Sequence, residues 1–239
     1  MGSNIFNFEK DFIGKKILVI GGGTSTLDVR WENLEVDSIW TCNDFFLEQR
    51  LLEVPIEVYM LGHNTPLDND TLVNKLNNDN TFTFYEPVYY RGKQASKEFI
   101  DFTSKLNNPV YASDIPIPFK EYSAAQKAGA ALRLIILGVI AKAQKIYFSG
   151  LDGFNREFTN IHAFTKHPGL KPTDTRRTYE GTFDSYRNVF CSAFEFLAEL
   201  DQGTRTLQNL GEGFDYNIGT EISRKRFPLD PKVKELIKM

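Results

Sequence analysis

The sequence predicts an α/β protein with a mostly parallel sheet flanked by helices, and three observations carry that prediction. Short runs rich in apolar residues, Ile17–Ile20, Ser38–Cys42 and Ile56–Leu61, follow one another at roughly twenty-residue intervals, as buried parallel strands do. A long apolar pattern with helical spacing, from near Ser123 to about Ala143, leads directly into a further run, Lys145–Ser149. Glycines end the first and the last of these runs, at Gly21 and Gly150. Strand, connector and strand at this spacing fit βαβ units better than hairpins, so the sheet is Rossmann-like.

Each element follows in order. Ile17–Ile20 is led by Lys15 and Lys16 and stopped by Gly21, which reads as an interior strand meeting a tight turn. Residues 66–80, rich in Asn, Asp and Leu, predict a short helix with a polar turn, and Thr81–Tyr85 alternates as a strand does. Residues 86–119, with Tyr89, Tyr90, Pro109, Pro116 and Pro118, read as a loop-rich insertion or lid. In the long helix Leu132, Ile135, Ile136, Val139 and Ile140 recur at helical spacing with few polar positions between them, so it is largely buried. Lys145–Ser149 then ends at Gly150 with Asp152 close behind, the pattern of a strand end where ligands bind in open α/β sheets. Residues 154–182 form a long polar loop with the composition of a mobile lid, followed by an amphipathic helix from about Phe183 to Leu200. Thr204–Gln208 reads as a last short strand, and Pro228 and Pro231 precede a short charged helix expected on the surface. With no internal repeat, residues 1–239 are expected to form a single domain.

Composition narrows the function classes. The chain carries 28 basic and 31 acidic side chains, a net charge of −3, so no domain-wide basic field argues for nucleic acid as a partner. The local basic stretches Arg176-Arg177 and Arg224-Lys225-Arg226 read first as solvated surface. Two cysteines, Cys42 and Cys191, make neither a disulfide framework nor a metal-ligand spacing and point to reduced thiols in the cytoplasm. The apolar stretch Ala128–Ala143 is interrupted by Arg133 and is too short to span a bilayer, which leaves only a peripheral membrane contact open.

Gly21-Gly22-Gly23-Thr24-Ser25-Thr26 is the segment that most directly suggests chemistry. Glycines let the backbone approach a ligand closely, and Thr24 and Ser25 can cap a following helix whose free N–H groups favour an anion. Thr26 stands where a dinucleotide fingerprint places its third glycine, no Gly-Lys-Ser/Thr follows, and Cys42-Asn43-Asp44 ends the second run without a terminal acid. A nucleotide site is expected, but not that of a plain NAD enzyme.

Read in order, Lys16–Ser25, Thr41–Phe46, Gly62–Pro66, Lys127–Gly129 and Lys145–Asp152 form a pattern, which Phe194–Leu197 and Asn209 loosely complete. This set resembles bacterial sialyltransferases of the lipooligosaccharide type. It also resembles the wider group that holds the motility-associated flagellin glycosyltransferases and the archaeal-type 6-hydroxymethylpterin diphosphokinases. The resemblance implies a CMP-linked sugar donor and a glycan acceptor, with the nucleotide held at the C-terminal edge of the sheet without a metal. It implies that Gly21, Gly22, Gly23 and Ser25 approach the nucleotide, and that Asn43 and Asn64 hold phosphate or sugar. It further implies that Gly129, with Lys127 close by, lines the cytosine pocket, and that Gly150 and Asp152 close the nucleotide site. Thr24 replaces a proline usual in the family's turn, and an arginine expected near Ala125 is missing. Phe154 and His162 fall near the places of two phosphate-holding tyrosines, and no histidine lies near Ser185, where the family has its catalytic one.

Glycosyl transfer needs a base for the acceptor hydroxyl and a group that stabilises the departing phosphate. Of the three histidines, His63 follows a strand end, while His162 and His167 lie in the polar loop near Lys166 and the arginine pair. His162 is the first candidate for the base or for a phosphate contact, His167 the second, and Asp184 the nearest acid to the vacant position. No metal-ligand spacing accompanies them. The leading expectation is therefore a metal-independent, inverting glycosyltransferase that uses a CMP-sugar or another nucleotide-sugar. Two alternatives stay open: an ATP- and Mg²⁺-dependent diphosphokinase of the pterin type using Asp44 and Asp152, and a nucleotide-binding protein without catalysis.

Overall fold

The computed structural model describes residues 8, 10–62, 65–85, 90–91, 94–112, 129–151, 194–201, 206–211 and 224–238. The predicted fold class is the observed one: a seven-stranded, wholly parallel sheet flanked by helices. Its strands are β1 (Lys16–Ile20), β2 (Ser38–Cys42), β3 (Val58–Leu61), β4 (Phe82–Tyr85), β7 (Val110–Ala112), β8 (Lys145–Ser149) and β9 (Leu207–Asn209). β5 (Tyr90–Arg91) and β6 (Gln94–Ala95) form a separate antiparallel pair. The order across the sheet is β7-β4-β3-β2-β1-β8-β9, so β1 and β8 are both interior, as their apolar runs predict.

That order fixes where a ligand can sit. From β1 the chain steps outward through β2, β3 and β4 to β7, then returns to place β8 on the other side of β1. The winding reverses between β1 and β8. Loops leaving the C-terminal ends of these two strands therefore diverge and leave a crevice, the topological switch point of an open parallel sheet.

Alternate residues of each strand feed opposite cores, as the two-residue period of a strand requires. Ile17, Val19, Trp40, Val58, Met60, Ile146 and Phe148 join one cluster together with the Ala130–Ile140 helix and residues 194–201. Leu18, Ile20, Tyr59, Leu61 and Tyr147 join the other, against Trp31, Phe45, Phe46, Leu72, Leu76, Phe99 and Phe102. Both faces of the sheet are covered, which is why its strands are apolar runs and not alternating ones. Gly138 lets the Ala130–Ile140 helix lie close on the sheet, since a Cβ there would come 2.9 Å from the Ile146 side chain.

Three expectations need correction. Residues 97–112 are not a loop: Lys97–Ser104 is a helix capped by the Ser96 hydroxyl, and β7 pairs with β4 in the main sheet. The signal was present in Phe99 and Phe102, three residues apart and both buried. The C-terminal helix Pro231–Leu236 is more than surface decoration, because Val233 and Ile237 are buried and Arg30 donates its backbone N–H to the Ile237 carbonyl. The last strand runs over Leu207–Asn209, displaced from the expected Thr204–Gln208. The remaining elements follow the expected order, with helices at Asp70–Asn78 and Ala130–Ile140 and a helix over 194–201. The expected helical stretches 123–128 and 183–193, and the loop 154–182, lie outside the described residues.

Candidate functional site

The switch point brings together the glycine turn after β1, Gly150 after β8 and the start of the Ala130–Ile140 helix. Gly21 donates its N–H to the Ser149 carbonyl (2.9 Å), and Gly23 donates to the Gly150 carbonyl (2.8 Å). Contact between the two strand ends is so close that neither tolerates a side chain. A Cβ on Gly21 would stand 2.7 Å from the Gly150 carbonyl oxygen and 3.0 Å from the Ala131 Cβ. Gly150 has φ +69°, and a Cβ there would run into the Gly21 carbonyl oxygen and the Thr26 hydroxyl. These glycines are required by close approach and, at 150, by a left-handed backbone.

The residues that follow lock the turn from beneath. Ser25 and Thr26 are fully buried. The Gly150 N–H donates to the Ser25 hydroxyl at 3.0 Å, while the Thr26 hydroxyl donates to the Gly21 carbonyl at 2.9 Å and lies 3.2 Å from the Ser149 hydroxyl. Ser25 therefore serves the turn's own packing. Thr24 makes no side-chain cap, and the helix it precedes, Ser25–Asp28, is a single turn, too short to be the anion-favouring capped helix the sequence suggested. The donors left for a ligand are the turn's own: among the described residues the backbone N–H groups of Gly22 and Thr24 have no partner, and both residues are part-exposed. Successive amides in a glycine-rich turn form a concavity that suits an anion.

Arg50 anchors the far end of that turn. Its guanidinium donates to the Thr26 carbonyl (3.0 Å) and to the Val29 carbonyl (3.4 Å), pairs with Glu48 (2.9 Å) and Glu32 (3.0 Å), and stacks on Trp31. Burial works against its charge, but the hydrogen bonds to Glu48 and Glu32 outweigh it and hold its pKa above the ordinary value.

Asn43 ends β2 in the left-handed region, φ +54°, which Asn tolerates better than most residues. Its backbone is held on both sides: its N–H donates to the Met60 carbonyl (3.2 Å), and the Tyr59 hydroxyl donates to its carbonyl (3.0 Å). The side-chain amide lies over Gly62, where any Cβ would overlap Oδ1. Oδ1 is buried and, among the described residues, has no hydrogen-bond partner. Thr65, buried at 7% exposure, likewise has a hydroxyl without a partner among the described residues. Buried polar atoms are rarely left unsatisfied, so two such atoms at neighbouring strand ends mark this edge of the sheet as a candidate binding site.

Gly129 stands at the N-terminus of the Ala130–Ile140 helix with open space where its Cβ would be, and the helix's first turn touches Gly21 through Ala131. The structure thus gathers Gly21, Gly22, Gly23, Ser25, Gly129 and Gly150 at the switch point, and sets Asn43 on the same C-terminal edge of the sheet. His63, Asn64, Lys127, Asp152, His162, His167 and Asp184 lie outside the described residues, as does Cys191; Cys42 is buried. Sequence reasoning missed Thr26 and Thr65 as site-forming residues. Thr65 had a signal, since it directly follows Asn64 in the Gly62–Pro66 segment; the role of Thr26 depends on a contact 123 residues away in sequence. Among the described residues no group of three or more His, Cys, Asp or Glu is arranged to hold a metal, and no helix is long and apolar enough to cross a membrane.

No protein-family model and no curated protein matches the sequence. The fold, however, is that of solved sialyltransferase structures. The chain is similar to CstII from Campylobacter jejuni in complex with the substrate analogue CMP-3FNeuAc, at 16% identity and TM-score 0.56, covering 92% of this chain and 88% of that one. It is similar to the same enzyme in complex with cytidine-5′-monophosphate, at 17% identity and TM-score 0.56 over 92% and 87%. A complex of CST-II with a trisaccharide acceptor and CMP matches at 17% identity and TM-score 0.54 over 92% and 88%. At this identity the likeness is one of fold.

Proposed function

We propose that the protein is a sialyltransferase-like glycosyltransferase that transfers a sugar from a CMP-linked donor to a glycan hydroxyl, without a metal. The observation that carries this reading is the set of uncommitted polar groups along one sheet edge. The Gly22 and Thr24 amides, with the Asn43 and Thr65 oxygens, lie at strand ends of a fold shared with structures that bind CMP. In this reading the turn amides hold the phosphate, Asn43 and Asn64 hold phosphate or sugar, and Gly129 with its neighbours lines the cytosine pocket, closed by Gly150 and Asp152.

In the reaction the acceptor oxygen forms a bond to the anomeric carbon while the bond from that carbon to the phosphate oxygen breaks. CMP leaves with the electron pair, and the configuration inverts. Lys127 and the turn amides offset the charge that grows on the phosphate. The hydroxyl proton passes to His162, or failing that His167, since imidazole is the side chain best suited to take up a proton near neutral pH.

The test follows CMP release from CMP-sialic acid in EDTA, in the presence of a trisaccharide glycan acceptor. The wild-type chain is expected to turn over. His162→Ala, folded and with unchanged donor affinity, is expected to lose about 10²–10⁴ in rate, the range of general-base catalysis. Equal rates in the His162→Ala and His167→Ala variants would move the base to Asp184. No release by the wild-type chain, with stabilisation by ATP only when Mg²⁺ is added, would replace this reading with the diphosphokinase one.

A further inference from the structure

We infer that Thr26, supported by Ser149, is a positioning residue that aims the Gly22 amide at the phosphate of a bound nucleotide; the inference rests on the nucleotide reading of the site. The argument is one of peptide planes. The carbonyl of one residue and the N–H of the next share a rigid plane and point in opposite directions across a trans bond. Every peptide bond among the described residues is trans. The Thr26 hydroxyl holds the Gly21 carbonyl at 2.9 Å, so it also fixes the direction of the Gly22 N–H, the amide that has no partner. The Thr26 backbone N–H holds the Gly23 carbonyl at 3.2 Å and fixes the Thr24 N–H in the same way. One residue therefore sets both free amides, while the alternate amides, Gly21 and Gly23, are tied to Ser149 at the end of β8 and to Gly150 just after it.

Ser149 completes the device. A threonine hydroxyl has one proton, and here it is committed to the Gly21 carbonyl. The contact of 3.2 Å between the two hydroxyls is then donated by Ser149 to Thr26, which orients the Thr26 hydroxyl. Both side chains are buried, so water does not compete for these bonds. Three consecutive glycines are otherwise the most conformationally free backbone a chain can offer, and ordering them on binding would weaken affinity. Thr26 removes that freedom in advance. It occupies the place where a dinucleotide fingerprint has its third glycine, and the space it needs is supplied by the missing side chain of Gly150.

The experiment measures binding of CMP and of cytidine by calorimetry to the wild-type chain and to Thr26→Val, Thr26→Ser and Ser149→Ala, each native by circular dichroism at the working temperature. Valine keeps the shape and removes the hydroxyl; serine keeps the hydroxyl. Thr26→Val is expected to bind CMP at least tenfold more weakly while cytidine, which lacks the phosphate, changes less than twofold. Thr26→Ser is expected to stay within twofold of wild type for CMP, and Ser149→Ala to fall between. If Thr26→Val does not fold, a loss for CMP alone in Ser149→Ala carries the same inference. Unchanged CMP affinity in the folded variants, or equal losses for CMP and cytidine, would overturn it. A wild-type chain that binds no CMP is a different outcome, since it overturns the CMP reading of the site itself.

Discussion

Gly150→Ala is expected to lower the unfolding free energy by about 2–5 kcal/mol, read from urea denaturation followed by circular dichroism. Two independent terms contribute. A side chain at φ +69° enters the left-handed region, which L-residues other than Asn and Asp rarely adopt. The added Cβ also collides with the Gly21 carbonyl and the Thr26 hydroxyl, neither of which is the loose end of a flexible side chain. The backbone of β1 must move away from β8, and with it go the Gly21–Ser149 and Gly23–Gly150 hydrogen bonds. A variant as stable as wild type would show that the two strand ends do not pack in this way.

Gly62→Ala is expected to weaken binding of a CMP-sugar by about 10–100-fold, with a smaller loss of stability of about 1–3 kcal/mol. The new methyl would occupy the position of the Asn43 Oδ1. The main chain of Asn43 is held by the Met60 carbonyl and by the Tyr59 hydroxyl, so the side chain rotates away first. The expected result separates the two roles of this contact: the protein stays folded while Asn43 loses its place in the site. Asn43→Ala in the Gly62→Ala background should then add little, because two changes acting on one group do not sum. Donor affinity that survives Gly62→Ala would remove Asn43 from the site.

The sheet was legible because buried parallel strands leave an unmistakable trace. Ile17–Ile20 and Ile146–Phe148 are apolar on both faces, and both faces are covered. β7 was not, because three residues behind Pro109 at a sheet edge carry no periodicity. The helix Lys97–Ser104 was obscured by the prolines and tyrosines around it, although Ser96 and the Phe99–Phe102 pair announce it. At the candidate site, the placement of the glycines and of Asn43 at strand ends was legible in the sequence. The contact of Asn43 with Gly62 could only be suspected from the order of the segments. The hydroxyl chain Ser149–Thr26–Gly21 could not be read at all, since it joins the end of β8 to the turn and helix after β1, which only folding brings together.

The most direct test of the account is calorimetric titration of the full chain with CMP, in EDTA, beside UMP, GMP, AMP and ATP. The account predicts saturable, one-to-one binding of CMP that needs no metal, exceeds that of the other monophosphates, and falls about 10–100-fold when Asn43 is changed to alanine. Binding of ATP only with Mg²⁺ and none of CMP, or CMP affinity indifferent to Asn43→Ala, would contradict it.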